Sequence, residues 1–125
     1  MAGQKKSILV VEDNIIAANI VKMLFESLGC KVHHVTDGKD AVNEALQNTY
    51  DGICIDIGLP TMSGVEACKE IRAHETKNNL KKVPIIAVTG NNSSEEIAAY
   101  IKAGMQAVID KPFTKEKAEY FLTFC

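Results

Sequence analysis

No apolar run in this chain is long enough to cross a bilayer. The longest, such as Ile8-Leu9-Val10-Val11 and Ile85-Ile86-Ala87-Val88, fall far short of the ~20 residues a spanning helix needs. Charge of one sign is also missing: 14 basic side chains face 16 acidic ones, a formal net of −2, which argues against a general basic footprint for nucleic acid or anionic membrane. The opening Met-Ala-Gly-Gln-Lys-Lys has neither the apolar segment nor the cleavage site of a secretory signal. Gly at position 3 breaks the myristoylation pattern, and the terminal Cys125 cannot begin a prenylation motif. Cys30, Cys54, Cys68 and Cys125 lack the paired spacing of zinc or redox motifs. Cys54, inside an apolar run, reads as a small core residue. His33, His34 and His74 form no ligand motif and read as solvated or capping side chains. No Gly-x-x-x-x-Gly-Lys-Ser/Thr is present, which excludes a P-loop nucleotidase. These absences predict a soluble, cytoplasmic protein with reduced thiols and no membrane segment within this chain.

The 125 residues suit one domain, 1–125, with 1–6 as a polar N-terminal extension. A chain of this size buries roughly two-thirds of its unfolded surface without disulfide or metal staples. No Gly/Ser-rich or Pro-rich linker interrupts it. Short apolar runs at 7–11, 32–35, 52–57, 85–89 and 107–110 predict five strands. Several are apolar on consecutive residues and rich in Val and Ile, the pattern of strands covered on both faces. Between them, 15–28, 39–47, 64–74, 94–103 and 114–124 read as helices. In the first, Ile16, Ile20, Met23 and Leu24 recur at helical spacing as its apolar face. Gly29 and Gly104 read as helix stops, and Asn91-Asn92-Ser93-Ser94 as the loop and N-cap of the fourth helix, with Glu95 and Glu96 in its first turn.

Strand and helix alternating five times predicts a doubly wound α/β fold, a parallel sheet with helices on both faces and right-handed crossovers. In such sheets ligands gather beyond the carboxyl ends of the strands. Those ends are chemically rich. Glu12-Asp13-Asn14 follows the first strand, the third runs into Asp56, the fourth ends Val88-Thr89-Gly90, and the fifth gives Asp110-Lys111-Pro112-Phe113. An acid such as Asp56 embedded in apolar sequence is costly to ionise without a partner. Clustered carboxylates favour a hard divalent cation, and a site completed by water and phosphate suits Mg²⁺. Lys111 and Thr89 add positive charge and a hydroxyl for an anion. The set describes a site for a phosphoryl group carried on an aspartate.

In this order and spacing, Ile-Leu-Val-Val-Glu12-Asp13-Asn14, Asp56-Ile-Gly-Leu-Pro60-Thr-Met-Ser-Gly64, Val-Thr89-Gly90 and Asp110-Lys111-Pro112-Phe113 resemble the receiver domains of two-component response regulators. The likeness runs from about Ser7 to Phe113 and is strongest to receivers of hybrid sensor histidine kinases. It implies a flavodoxin-like (βα)5 fold with strand order 2-1-3-4-5, for which the chemotaxis member of the family is the usual example. It further implies Asp56 as phosphoacceptor and Asp13 as direct metal ligand. Glu12 would act through metal-bound water, and the backbone carbonyl of Gly58 would be a third protein ligand. Thr89 matches the family's switch hydroxyl and Lys111 the lysine that pairs with phosphoryl oxygens. A cis peptide is implied before Pro112, and Gly58 and Asn91 fall where the family tunes dephosphorylation. The cofactor implied is Mg²⁺, and the partners a histidine kinase or histidine phosphotransfer domain docking beside the first helix, where Ile15, Ala18, Asn19 and Lys22 are offered. One departure stands out: the position three residues before the lysine, commonly a switch aromatic, is Val108.

The resemblance implies a phosphorylated signalling domain, not an enzyme acting on a separate substrate. Haloacid-dehalogenase-like phosphatases also form an aspartyl phosphate, but normally carry an acid/base two residues after the nucleophile, where this chain has Gly58. Flavodoxin-like FMN carriers resemble one another in a Ser/Thr/Gly-rich loop after the first strand. Glu12-Asp13-Asn14 would repel such a phosphate. Output is expected on the face of the fourth helix, fifth strand and fifth helix, with Ile97, Ile101, Val108 and Phe121 mostly core and Tyr100 the exposed contact. The sequence closes at Phe124-Cys125 without a DNA-binding motif, which fits a stand-alone shuttle or one receiver of a longer protein.

Overall fold

The computed structural model describes residues 5–90 and 92–125. Five strands alternate with five helices: β1 (Ser7–Val11), α1 (Ile15–Ser27), β2 (Lys31–Val35), α2 (Gly38–Gln47), β3 (Gly52–Asp56), α3 (Gly64–Lys77), β4 (Ile85–Thr89), α4 (Ser94–Ala103), β5 (Ala107–Asp110) and α5 (Lys115–Leu122). All pairings are parallel, in the order β2-β1-β3-β4-β5. The doubly wound sheet anticipated from the alternation is therefore present. The third helix runs one turn beyond the expected end, and the fifth is shorter at both ends.

The two-residue period of each strand divides its side chains between two cores. Ile8, Val10, Cys54, Ile86, Val88 and Ile109 face α1 and α5, where they meet Val21, Phe25, Ala118 and Phe121. Phe25 carries this layer, with ring centroids 4.9 Å from Phe121 and 5.5 Å from Phe113. Leu9, Val11, Ile53, Ile55, Ile85 and Ala87 face the other way, against Ala41, Ala67, Cys68, Ile71, Tyr100 and Met105 from α2, α3, α4 and the loop after α4. Because β1, β3 and β4 are covered on both sides, their apolar runs are continuous.

Each helix starts on a side-chain cap. Asn14, Asp37, Ser63, Ser93 and Thr114 each accept a backbone N–H three residues on, which satisfies a donor left over at the helix start. Gly104 closes α4 with φ of 115° and Gly29 follows α1 with φ of 85°, both in the left-handed region that glycine enters without strain. Gly64 opens α3 for a different reason. A Cβ there would come within 2.8 Å of the Asp56 carbonyl oxygen, so the loop after β3 can close only around a bare α-carbon.

Two expectations are corrected. The stripe of Ile16, Ile20 and Met23 does not face the core: they are 74%, 50% and 67% exposed, and α1 buries Ala18, Val21 and Phe25 instead. The helix is apolar on more than one side, so periodicity alone could not choose its inner face. Tyr100, expected as an exposed contact, is buried beneath α4, whereas Ile101 beside it is 46% exposed. Phe121 is core, and Ile97 and Val108 are half-buried. Cys30, Cys54 and Cys68 are buried, Cys125 is half-buried, and all four are free thiols.

Candidate functional site

Parallel register brings the carboxyl ends of the strands together. Val11 lies beside Ile55, Asp56 beside Val88 and Thr89 beside Asp110. Glu12 and Asp13 leave the end of β1, Asp56 is the last residue of β3, and Lys111 follows β5. One carboxylate oxygen from each of Glu12, Asp13 and Asp56 lies within 4.8 Å of the others. Glu12 and Asp56 are buried and Asp13 is exposed, so the cluster has a dry floor and a wet mouth. Lys111 reaches over it, with Nζ 3.2 Å from Asp56 Oδ1 and 3.9 Å from Glu12 Oε1.

Glu12 is held on several sides. Its backbone N–H donates to the Val35 carbonyl at 3.1 Å, its Oε2 accepts the Asn14 N–H at 3.1 Å, and its carbonyl lies 2.7 Å from His34 Nε2. Burial pushes the Glu12 carboxyl up to about 7, the nearby Asp56 charge adds to the rise, and the Asn14 hydrogen bond and Lys111 oppose it. The Glu12 carboxyl therefore resists taking up its negative charge unless more positive charge enters the pocket. Three hard oxygen donors, two of them buried, fit a small divalent cation that keeps part of its water. Sequence reasoning gave Glu12 but not His34, because a side chain that binds a neighbouring strand's carbonyl leaves no signature in its own segment.

The other anticipated residues fall as follows. Thr89 is buried at the end of β4, one strand from Asp56. Gly58 is exposed in the loop after β3, where a Cβ would meet no atom within 4 Å. The Lys111-Pro112 peptide is cis. Asn91 lies outside the described residues. Two further residues brace this end of the sheet. Asn92 Nδ2 donates to Asp110 Oδ1, and Lys117 Nζ donates to the carbonyls of Asp110 at 2.8 Å and Pro112 at 3.0 Å. Asn92 reaches the end of β5 from the β4–α4 loop and Lys117 acts across the β5–α5 turn, proximities that only the folded chain creates.

A doubly wound α/β domain presenting a buried aspartate beside two further acids and a lysine is the class this fold and site define. The chain belongs to the response regulator receiver domain family, whose pattern matches residues 8–120. It is 35% identical over 112 residues to the transcription factor SKN7 of Candida albicans and 37% identical over 111 residues to hybrid signal transduction histidine kinase L of Dictyostelium discoideum. Those matches take in 90% and 86% of this chain, which spans only 19% and 6% of the two relatives' lengths. Among solved structures, the receiver domain of a Pseudomonas aeruginosa sensor histidine kinase superposes with a TM-score of 0.85 at 36% identity, covering 96% of both chains. That protein holds a magnesium ion in its active-site cleft. The Saccharomyces cerevisiae receiver of Ssk1, crystallised with the histidine phosphotransfer protein Ypd1, superposes with a TM-score of 0.87 at 28% identity, covering 92% of this chain and 84% of that one. Among the described residues, no helix is long and apolar enough to cross a membrane.

Proposed function

We propose that this receiver domain, spanning 1–125, takes a phosphoryl group from a phosphohistidine onto Asp56 in a Mg²⁺-dependent reaction and passes on a conformational signal or the phosphoryl group itself. The observation that carries this reading is the buried Asp56 carboxylate, 3.2 Å from Lys111 and clustered with Glu12 and Asp13. An Asp56 oxygen attacks phosphorus in line as the P–N bond to the donor imidazole breaks, and the departing ring nitrogen takes up a proton. Lys111 then pairs with a phosphoryl oxygen, and Thr89 turns its hydroxyl toward another. Asp13, Asp56 and the Gly58 carbonyl are the direct metal ligands in this reading, with Glu12 acting through metal-bound water. The ion supplies charge neutralisation for the transferring oxygens.

The domain assists its own phosphorylation and does not turn over a separate substrate. A phosphatase of the haloacid-dehalogenase kind would need an acid/base two residues past Asp56, and Gly58 has no side chain to act as one. The partner is a histidine kinase or a histidine phosphotransfer domain in the cytoplasm. Ile15, Ile16, Ile20 and Met23 form an exposed apolar stripe on α1, the helix that begins directly after Glu12-Asp13-Asn14, and a partner helix seated on it would bring its histidine over Asp56. The Ssk1 receiver's complex with a phosphotransfer protein supports this choice of partner. The test is labelling by acetyl phosphate with and without Mg²⁺. We expect Mg²⁺-dependent incorporation that Asp56→Asn abolishes; full labelling of that variant would refute the assignment.

A further inference from the structure

His33 and His34 are neighbours in β2 and point to opposite faces of the sheet. His33 turns toward α2, with Nε2 3.6 Å from Glu44 Oε2. His34 is half-buried and pairs in register with Val10, on the side covered by α1. Its ring reaches past the end of β1, and Nε2 lies 2.7 Å from the Glu12 carbonyl oxygen. A carbonyl can only accept, so Nε2 carries the proton and donates. The β1–β2 ladder ends at the pair Val11 and Val35, and β2 then leads into the α2 cap at Asp37. Glu12 is thus held from β2 at both of its backbone polar groups. Its N–H donates to the Val35 carbonyl at 3.1 Å, and its carbonyl accepts from the His34 ring. Those two groups belong to the peptide planes on either side of the Glu12 α-carbon, so together they set how the chain leaves the sheet. The second of these planes also carries the N–H of Asp13.

We propose that His34 is a positioning residue for the metal: by holding the peptide between Glu12 and Asp13, it keeps both carboxylates aimed at one cation. The inference rests on the metal-site reading given above. Consecutive side chains of an extended strand diverge to opposite faces. Bringing Glu12 and Asp13 within 4.8 Å of each other and of Asp56 therefore requires a defined turn at the peptide that joins them. The Glu12 carboxylate is fixed from the other side as well, where Oε2 accepts the Asn14 N–H at 3.1 Å and Asn14 Oδ1 accepts the Ala17 N–H at 3.0 Å. The acidic corner is thus held between β2 and α1, with His34 as its side-chain strut. Like charges in that corner repel, and without the strut they relax apart in the metal-free chain. An entering cation would then have to draw them back together. The strut does that ordering in advance.

The experiment is a calorimetric Mg²⁺ titration of the unaltered chain, His34→Phe, His34→Gln and His33→Phe. Phe keeps a ring but loses the donor, whereas Gln places an amide N–H at a reach close to that of Nε2. His34→Phe should bind Mg²⁺ about three- to tenfold more weakly, the worth of one ordinary hydrogen bond. His34→Gln should stay within about twofold of the unaltered chain, and His33→Phe should match it. At saturating Mg²⁺, labelling of His34→Phe by acetyl phosphate should approach the unaltered rate, because the defect lies in holding the ion. Unchanged Mg²⁺ affinity in His34→Phe would overturn the inference. Equal weakening by Phe and Gln would do so too, since ring packing and not the donor would then be responsible. A second readout needs neither metal nor variant: the ¹⁵N spectrum of the neutral His34 ring should show the proton on Nε2, with Hε2 protected from exchange. A proton on Nδ1, or an Hε2 that exchanges freely with water, would overturn the pairing. If the unaltered chain binds no Mg²⁺, the metal reading fails and this inference with it; normal binding that His34→Phe leaves untouched removes this inference alone.

Discussion

Replacing Lys111 by Met should push metal binding and phosphoryl binding in opposite directions. Lys111 Nζ sits 3.2 Å from Asp56 Oδ1 and 3.9 Å from Glu12 Oε1. In a water-like dielectric those distances correspond to attractions of about 1.3 and about 1.1 kcal/mol. Burial of the acids raises these figures. The lysine side chain, however, is 42% exposed, and screening and the entropy of holding it in place lower them. A net of about 1–2 kcal/mol is reasonable. A divalent cation entering the cluster takes over part of that neutralisation. Lys111→Met, which keeps an apolar stem of similar reach, should therefore bind Mg²⁺ about three- to tenfold more tightly and be about 1 kcal/mol less stable without metal. The same variant loses the cation that pairs with phosphoryl oxygens, so its labelling by acetyl phosphate at saturating Mg²⁺ should fall several-fold. Calorimetric Mg²⁺ titration and initial labelling rates measure the two effects separately. Weaker or unchanged Mg²⁺ binding in Lys111→Met would refute the charge argument, whatever happens to labelling.

Ile15→Asp, at a 57% exposed position at the start of α1, should slow transfer from a phosphohistidine partner while leaving acetyl phosphate labelling nearly intact; equal loss of both would mean damage to the site, and loss of neither would move the docking face elsewhere. Gly64→Ala should destabilise the fold by about 1–3 kcal/mol in urea titration, since its new methyl would press on the Asp56 carbonyl oxygen at 2.8 Å; an unchanged midpoint would show that the loop after β3 yields freely. Burial pushes the Cys68 and Cys125 thiols up to about 11 from 9.0, and the Cys54 thiol is raised further. Only about one thiol in a thousand of such a pKa is thiolate at pH 8. Iodoacetamide should label the native chain far more slowly than the guanidinium-unfolded one. Because the folded values are raised, the stability these thiols contribute is complete below about pH 9 and declines as pH rises through about 11.

The strands were legible because burial on both faces writes itself into sequence as continuous Val and Ile, and β1, β4 and β5 have the bounds their apolar runs predicted. The residues of the candidate site were legible for a related reason: Glu12, Asp13, Asp56, Thr89 and Lys111 interrupt or end those runs with groups that apolar strands do not otherwise carry. Helix faces were harder. Ile16, Ile20 and Met23 and the set Ala18, Val21 and Phe25 both recur at helical spacing, and only the packing of Phe25 against Phe113 and Phe121 decides which turns inward. Tyr100 was misread because an aromatic hydroxyl suggests water, whereas here Glu96 accepts its proton while the ring is buried. His34 on Glu12 and Asn92 on Asp110 join segments 22 and 18 residues apart, and no local pattern encodes such pairs.

The measurement that bears most directly on the account is a two-dimensional amide titration of the chain with beryllofluoride in saturating Mg²⁺, repeated on Asp56→Asn. It reads the acceptor, the metal and the switch in one experiment. The account predicts saturable, Mg²⁺-dependent shifts at the ends of β1, β3 and β5, extending through Thr89 into α4 and the β5–α5 face, and none in Asp56→Asn. Shifts confined to the ends of β1 and β3, or shifts that persist in Asp56→Asn, would contradict it.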